Sequence, residues 1–247
     1  IMSDAGVGKS RLLYEFRKAI ADEYVTLLEG KCLSYSSNVP YYPITDILKS
    51  NFHIEDRDDD SEILKKVKKG LKILGADEPS IMPYILELLS VVESGVEKIS
   101  MSPEGKKDRI IEALKRIVSR GSELRPLILA IEDLHWIDGS SEELLKHLLN
   151  SIPGSRIMMI FTYRPTFVCT WTGKSFHSQL NLNRLSEKES RVMLSYLIGE
   201  KEPEESFAGT ILDKTEGVPF FIEEFVKSLK DMNLIQRKAD RYALKEG

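Results

Sequence analysis

Apolar positions change their spacing several times along the chain, and each change predicts an element. Leu12, Leu13, Phe16 and Ile20 recur at helical spacing and predict a helix over 8–22. "YVTLLEGKCL" (24–33) reads as a strand, and "SSNVPYYP" (36–43) as a loop by its Pro, Asn and Ser content. Ile63, Val67, Leu71 and Leu74 mark a second helix stopped by Gly75, and "PSIMPYILELL" a third. Ser102 and Pro103 supply an N-cap and a proline at the first helical position. Ile110, Ile111, Leu114, Ile117 and Val118 give the helix that follows its apolar face, with Gly121 as its expected end.

The pattern then changes. "PLILAIED" (126–133) is a short, continuous apolar run bounded by Pro and acids, which is how a strand buried on both faces of a parallel sheet reads. "SSEELLKHLL" follows, with Ser140 and Glu143 at capping-box spacing. "RIMMIFTYR" (156–164) is a second buried strand with a polar end, and "QLNLNRL" (179–185) a candidate third. Ser186 and Glu189 open another helix by the capping-box pattern, running to Gly199, and two more helices are expected at 204–215 and 219–231. "NLIQRKADRYAL" (233–244) alternates around "KAD" as a hairpin would. The acidic run "EDRDDD" (55–60) reads as a solvated loop. Strands alternating with helices imply an α/β fold with a parallel, doubly wound sheet, and the helical pattern after about 186 implies a small helical subdomain.

Composition narrows the classes. The chain has 247 residues, 42% hydrophobic and 30% charged, as in an ordinary soluble globular protein. A formal net charge of −4 argues against a general nucleic-acid binder but leaves a local basic patch open. Two cysteines, Cys32 and Cys169, are too few for a disulfide framework, so a reducing cytoplasm is the expected compartment. No apolar run is long enough to span a bilayer, and no signal peptide is visible.

Candidate chemistry starts at the first residues. The phosphate-loop pattern G-x-x-x-x-G-K-[ST] lines up as Ser3, Asp4, Ala5, Gly6, Val7, Gly8, Lys9 and Ser10, followed by Arg11. Gly6 and Gly8 let backbone N–H groups turn toward one centre, and the following helix presents its N-terminus to phosphates. Lys9 is placed to contact the β- and γ-phosphates, and the Ser10 hydroxyl to meet Mg²⁺. Because Ser3 stands where the first glycine belongs, the string alone is weak, and a glycine-rich helix start would look the same.

The strand "LILAIED" supplies the missing context. Its terminal acids, Glu132 and Asp133, suit a metal site: the first would hold Mg²⁺ directly or through water, and the second would orient or deprotonate an attacking water. The next buried strand ends in "TYRP", which puts Thr162 and Arg164 at the same carboxyl edge of the sheet, where ligands bind in open α/β sheets. There an arginine can reach a γ-phosphate.

"AGVGKSRLL", "IEDLHWID", "FTYRP" and "EGVPFFIEEF" together resemble the STAND-class P-loop ATPases, relatives of the AAA+ and origin-recognition ATPases. The nearer likeness is to the branch found beside adenylate/guanylate cyclase domains, LuxR-type regulators and Ser/Thr kinases in large bacterial proteins. The resemblance implies that Gly217-Val218-Pro219 is the G-x-P motif, with Pro219 near adenine on the helical subdomain. It implies a packing role for Trp136 and a capping role for Asp138, and leaves His135 between a phosphate contact and a structural hydrogen bond. Ser3 and Glu132 depart from the common pattern, Glu132 standing where many relatives have Asp. About 120 residues separate Lys9 from Glu132, which implies a helical insertion at roughly 40–105.

The expected organisation is a P-loop ATPase core over 1–185, a helical subdomain over 186–232, and over 233–247 the start of a winged-helix-like segment. The expected function is a slowly hydrolysing, ATP- and Mg²⁺-dependent regulatory ATPase that switches conformation within a longer signalling polypeptide, with nucleotide-dependent self-association a further expectation. Two alternatives stand: an initiator-like DNA-binding AAA+ ATPase, and a scaffold that binds nucleotide without hydrolysis. The acidic balance and the lack of an obvious DNA-reading helix make nucleic acid the weaker partner. The chain opens on Ile, so a longer natural protein is expected, with an apolar strand of about five residues just upstream of the loop.

Overall fold

The computed structural model describes residues 1–76, 79–92, 94–171, 173–199, 204–238 and 241–244, without side-chain detail from 235 onward. The chain divides into two compact units, one of residues 18–178 and one of residues 1–17 with 179–247.

The unit of 18–178 is built on a parallel sheet of β1 (Thr26–Lys31), β2 (Leu127–Glu132) and β3 (Ile157–Phe161), in the order β1-β2-β3. Strand β2 is paired on both sides, and Leu127, Ile128, Leu129, Ala130 and Ile131 are all buried. This is why its sequence is apolar without alternation. The register sets Lys31 opposite Glu132, and Ile131 opposite Phe161, so the polar strand ends share one edge. The chemistry-bearing segments 132–138 and 162–164 follow directly from that edge.

Between β1 and β2 runs the helical insertion: α2 (Tyr42–Asn51), α3 (Asp60–Leu74), α4 (Met82–Leu88) and α5 (Pro103–Leu124). Helix α2 packs on β1 so closely that a Cβ on Gly30 would lie 2.8 Å from the Pro43 carbonyl oxygen. The loop expected over 36–43 therefore ends early: Tyr42 and Pro43 already belong to α2, and Tyr41 before them takes a left-handed backbone (φ 61). Helix α5 starts as expected, with the Ser102 hydroxyl accepting from the Gly105 N–H and Pro103 at its first position. It does not stop at Gly121 but runs to Leu124, because one glycine weakens a helix interior by only about 1 kcal/mol. The acidic run at 55–60 is exposed as expected except at Asp58. Asp58 pairs with Lys66 and keeps only 6% of its side chain exposed, and Asp59 caps α3 through the Glu62 N–H.

Helix α6 (Gly139–Leu149) corrects the capping box expected at Ser140 and Glu143. Its cap is Asp138, whose Oδ1 accepts from the Ser141 N–H at 2.9 Å, and Glu143 instead pairs with Lys107. The turn that follows β2 delivers Asp138 one step before the helix, so Ser140 is already inside it. Beneath α2, α5 and α6 the sheet leaves an apolar cavity of about 50 Å³ bordered by Leu28, Leu129, Ile47 and Leu114, too small for a nucleotide.

In the unit of 1–17 with 179–247, the loop 3–8 leads into α1 (Lys9–Ala19), which ends a turn before the expected 22. The segment 179–185 is not a strand. Asn181 makes one parallel bridge with Met2, flanked by Met2 N–H to the Leu180 carbonyl and Leu182 N–H to the Met2 carbonyl. A strand is only as long as its partner, and here the ladder is one bridge long. Helix α7 (Glu187–Ile198) has the expected capping box of Ser186 and Glu189 and ends at Gly199. Helices α8 (Glu205–Thr215) and α9 (Pro219–Asp231) complete the helical region. Leu194, Phe207, Ile211, Ile222 and Val226 form its core, each 0–2% exposed. An antiparallel pair, β4 (Ile235–Lys238) and β5 (Arg241–Leu244), makes the expected hairpin. Residues 239–240 and 245–247, part of the segment expected to begin a winged-helix-like region, lie outside the described residues.

Candidate functional site

The phosphate-loop residues are gathered in the unit of 1–17 with 179–247. Gly6 (φ 77) and Gly8 (φ 116) take the positive φ that only glycine adopts at little cost, and this curls the loop over the start of α1. Lys9 is 8% exposed, and its Nζ donates to the carbonyl oxygens of Ser3 at 2.8 Å and Asp4 at 2.9 Å, and to Ser3 Oγ at 3.3 Å. Ser3, the departure from glycine, is 4% exposed, and both its oxygens face the lysine. A small side chain is tolerated at this position because it points at the ammonium. Asp4, Ala5 and Ser10 are exposed and Val7 is buried. Arg11 faces solvent, pairing with Glu15 at 2.7 Å and lying over the Tyr14 ring.

A cradle for phosphate can be tested on the glycines. A Cβ on Gly8 would meet no atom within 4 Å, so it would stand in the open mouth of the loop. A Cβ on Gly6 would lie 3.0 Å from Val218 Cγ1 and from Phe220 Cβ. The loop therefore rests on the G-x-P segment on one side and opens on the other, next to the N-terminus of α1. Those features and the Lys9 ammonium fit a polyphosphate.

The G-x-P segment is held by backbone geometry. Gly217 (φ 71) packs so tightly that a Cβ would fall 2.2 Å from the Leu185 carbonyl oxygen, and its own carbonyl accepts from the Leu185 N–H at 2.8 Å. Pro219 is the first residue of α9, where a missing N–H costs nothing. The N–H of Phe220, otherwise an orphan of the helix start, donates to the Gly6 carbonyl at 3.1 Å. The phosphate loop and the helix carrying Pro219 are thus joined by a direct hydrogen bond.

The acids lie in the unit of 18–178. Glu132 closes β2, and Asp133 turns the chain through a left-handed conformation (φ 58) that is uncommon for a residue with a side chain. Thr162, fully buried at the end of β3, holds that turn. Its Oγ1 accepts from the Asp133 N–H at 3.0 Å, and its carbonyl accepts from the Leu134 N–H at 2.8 Å. Lys31 Nζ lies 3.9 Å from Asp133 Oδ2. Sequence reasoning missed Lys31; the signal was there in a predicted strand running into "GK" before Cys32, but only the parallel register places it beside the acids. Arg164 is exposed just past β3.

The signature after β2 divides its work. His135 and Trp136 lie in a single 3-10 turn with ring centroids 5.1 Å apart, Trp136 being 38% exposed. Asp138 does more than cap α6: the Oδ1 that accepts from Ser141 also accepts from the Tyr41 N–H at 3.1 Å, tying the start of the insertion to the turn after β2. Burial, and then the nearby carboxylates of Asp138 and Asp133, push the Cys32 thiol up to about 12. Cys32 is therefore a neutral packing residue here.

Among the described residues no helix is long and apolar enough to cross a membrane. A domain of unknown function (DUF8739) matches residues 186–242. An uncharacterized protein of Rhizobium meliloti (strain 1021) is 27% identical over 230 residues, an alignment covering 91% of this chain but 22% of that protein. The chain thus spans about a fifth of that relative's length. The AAA ATPase domain family matches residues 1–160. An α/β chain matched over that much of its length, with a parallel sheet and a glycine-lined loop at a helix start, belongs to the AAA ATPase domain family, whose chemistry is the binding and hydrolysis of nucleoside triphosphates.

Proposed function

We propose that this chain is the nucleotide-switched regulatory ATPase module of a longer signalling protein, of the STAND type. Residues 1–185 form its ATPase core and residues 186–232 the subdomain that responds. The observation that carries this reading is the hydrogen bond from the Phe220 N–H to the Gly6 carbonyl, with Val218 and Phe220 filling the space a Cβ on Gly6 would need. A shift of the phosphate loop is felt at once by α9, which is what a switch requires.

Bound ATP with Mg²⁺ supplies the γ-phosphoryl group and a metal that neutralises its charge. Residues Ser3 to Arg11 would hold the phosphates, Lys9 through the ammonium that now donates to the carbonyl oxygens of Ser3 and Asp4, and Ser10 would offer its hydroxyl to the metal. Glu132 and Asp133 would be the acids for metal and water: Glu132 would hold the metal directly or through water, and Asp133 would orient or deprotonate the attacking water. Thr162 keeps Asp133 in position through its backbone, and Arg164 senses the γ-phosphate. Pro219 lines the base. Turnover is slow, because water positioning is completed only by a further domain or a second copy. The partners are other domains of the same polypeptide, with a cyclase, a kinase or a transcription regulator as the output, in the cytoplasm.

Nucleotide affinity and single-turnover hydrolysis test the reading together. Lys9→Ala is expected to lower ATP affinity by at least tenfold. Asp133→Asn is expected to keep affinity and to slow the single turnover by about 10²–10⁴-fold. Unchanged ATP affinity in Lys9→Ala would overturn the nucleotide site. Unchanged turnover in Asp133→Asn would remove Asp133 as the group acting on the attacking water, and absence of turnover in the wild type would leave a nucleotide-binding scaffold in place of an ATPase.

A further inference from the structure

Helix α3 carries five lysines, and they are not equivalent. Lys66 is turned sideways, donating to the His53 carbonyl at 2.8 Å and pairing with Asp58. Lys65, Lys68, Lys69 and Lys72 are all exposed, and among the described residues none of them has an ion-pair partner. Their spacing, i, i+3, i+4 and i+7, sets them within about 100° of arc and along about 10.5 Å of the helix. The opposite face is the buried one, with Val67 and Leu71 both at 0% exposure. Three acids at the helix N-terminus are engaged elsewhere, and the exposed Glu62, three residues before Lys65, makes no ion pair with it among the described residues. Asp58 is paired with Lys66 and accepts from the Glu55 N–H, Asp59 caps the helix, and Asp60 Oδ2 accepts from the Val92 N–H at 2.9 Å. A chain of net charge −4 thus presents a ridge of four lysines that have no ion-pair partner among the described residues.

We propose that this ridge is a docking surface for the phosphate backbone of a nucleic-acid duplex, gripped without regard to base sequence. A duplex carries one charge per about 1.7 Å of its axis, so a row about 10.5 Å long faces about six phosphates. Lysine ammoniums are point charges suited to phosphate. The ridge holds no Arg, Asn or Gln to read base edges and no aromatic ring to stack on a base. A bilayer fits the ridge less well. The exposed apolar residues Leu64 and Ile73 stand about 90° to either side of the crest, so a membrane facing the lysines would receive neither. The inference is independent of the nucleotide site, since it uses only α3.

The test is a salt titration of full-length protein binding to a mixed-sequence DNA duplex, followed by fluorescence anisotropy. Four phosphate contacts contribute about −3.6 to the slope of log K against log salt. Lys65, Lys68, Lys69 and Lys72 all changed to Gln should lose that contribution, whereas all four changed to Arg should keep it. Lys68→Gln with Lys69→Gln should lose about half, and serves if the fourfold variant does not give the wild-type far-UV circular dichroism. Absence of duplex binding by the wild type, equal slopes in wild type and Gln variants, dependence on one base sequence, or binding only to phosphatidylserine vesicles would each overturn the proposal.

Discussion

Removing the Asp138 carboxylate tests how the insertion is fastened to the sheet. Asp138 is 5% exposed, and its Oδ1 accepts from two backbone donors, the Ser141 N–H at 2.9 Å and the Tyr41 N–H at 3.1 Å. In Asp138→Ala the first loss is a helix cap, about 1 kcal/mol. The second is heavier: the Tyr41 N–H is left buried without an acceptor, which costs about 1–3 kcal/mol. The Oδ2 atom works the other way, since it is buried without a hydrogen bond among the described residues, and losing it relieves some strain. The sum is a destabilisation of about 2–4 kcal/mol. For a chain of this size that corresponds to a fall in Tm of roughly 4–16 °C. Urea unfolding monitored by circular dichroism reads it as a lower midpoint with an unchanged slope. Asp138→Asn retains the acceptor and should lose much less, which separates the hydrogen bonds from the charge. An Asp138→Ala midpoint displaced by less than the equivalent of about 0.5 kcal/mol would refute the reasoning, because a surface substitution does as much.

Gly217→Ala should destabilise the helical region strongly, since the new Cβ would lie 2.2 Å from the Leu185 carbonyl oxygen at a φ of 71; thermal unfolding by calorimetry checks this, and a wild-type Tm would refute it. Cys32 predicts an alkaline weakness. Its thiol is held at about 12 in the fold, above its ordinary 9.0, so its contribution is complete below pH 9. The unfolded chain loses that proton first as pH rises, so stability should fall by about 1.4 kcal/mol per pH unit between the two values. Urea midpoints measured from pH 8 to 11 in wild type and Cys32→Ser should diverge with that slope, and parallel curves would contradict it.

Much of the candidate site was readable before any coordinates because its residues are local in sequence. Gly6, Gly8, Lys9 and Ser10 form one turn and one helix start, and the apolar run ending in Glu132 and Asp133 is one buried strand. The capping box at Ser186 is equally local and was found, whereas that at Ser140 failed. Two residues, Asp138 and Ser140, both suit a cap, and only the turn after β2 decides which stands outside the helix. Helix α2 escaped notice because prolines and a left-handed Tyr41 make its start look like loop, although contact with β1 stabilises it as helix.

The sequence by itself determined the periodic elements, the phosphate-loop composition and the polar ends of the buried strands, because these depend on neighbours a few residues away. Tertiary structure decided what long-range pairing alone can set. It put Lys31 across from Glu132, ran the Thr162 hydroxyl to the Asp133 N–H, gave Asp138 a second donor 97 residues away, and joined Phe220 to Gly6. It also decided which lysines of α3 are neutralised, because Lys66 and its four neighbours have the same chemistry and differ only in where the helix turns them.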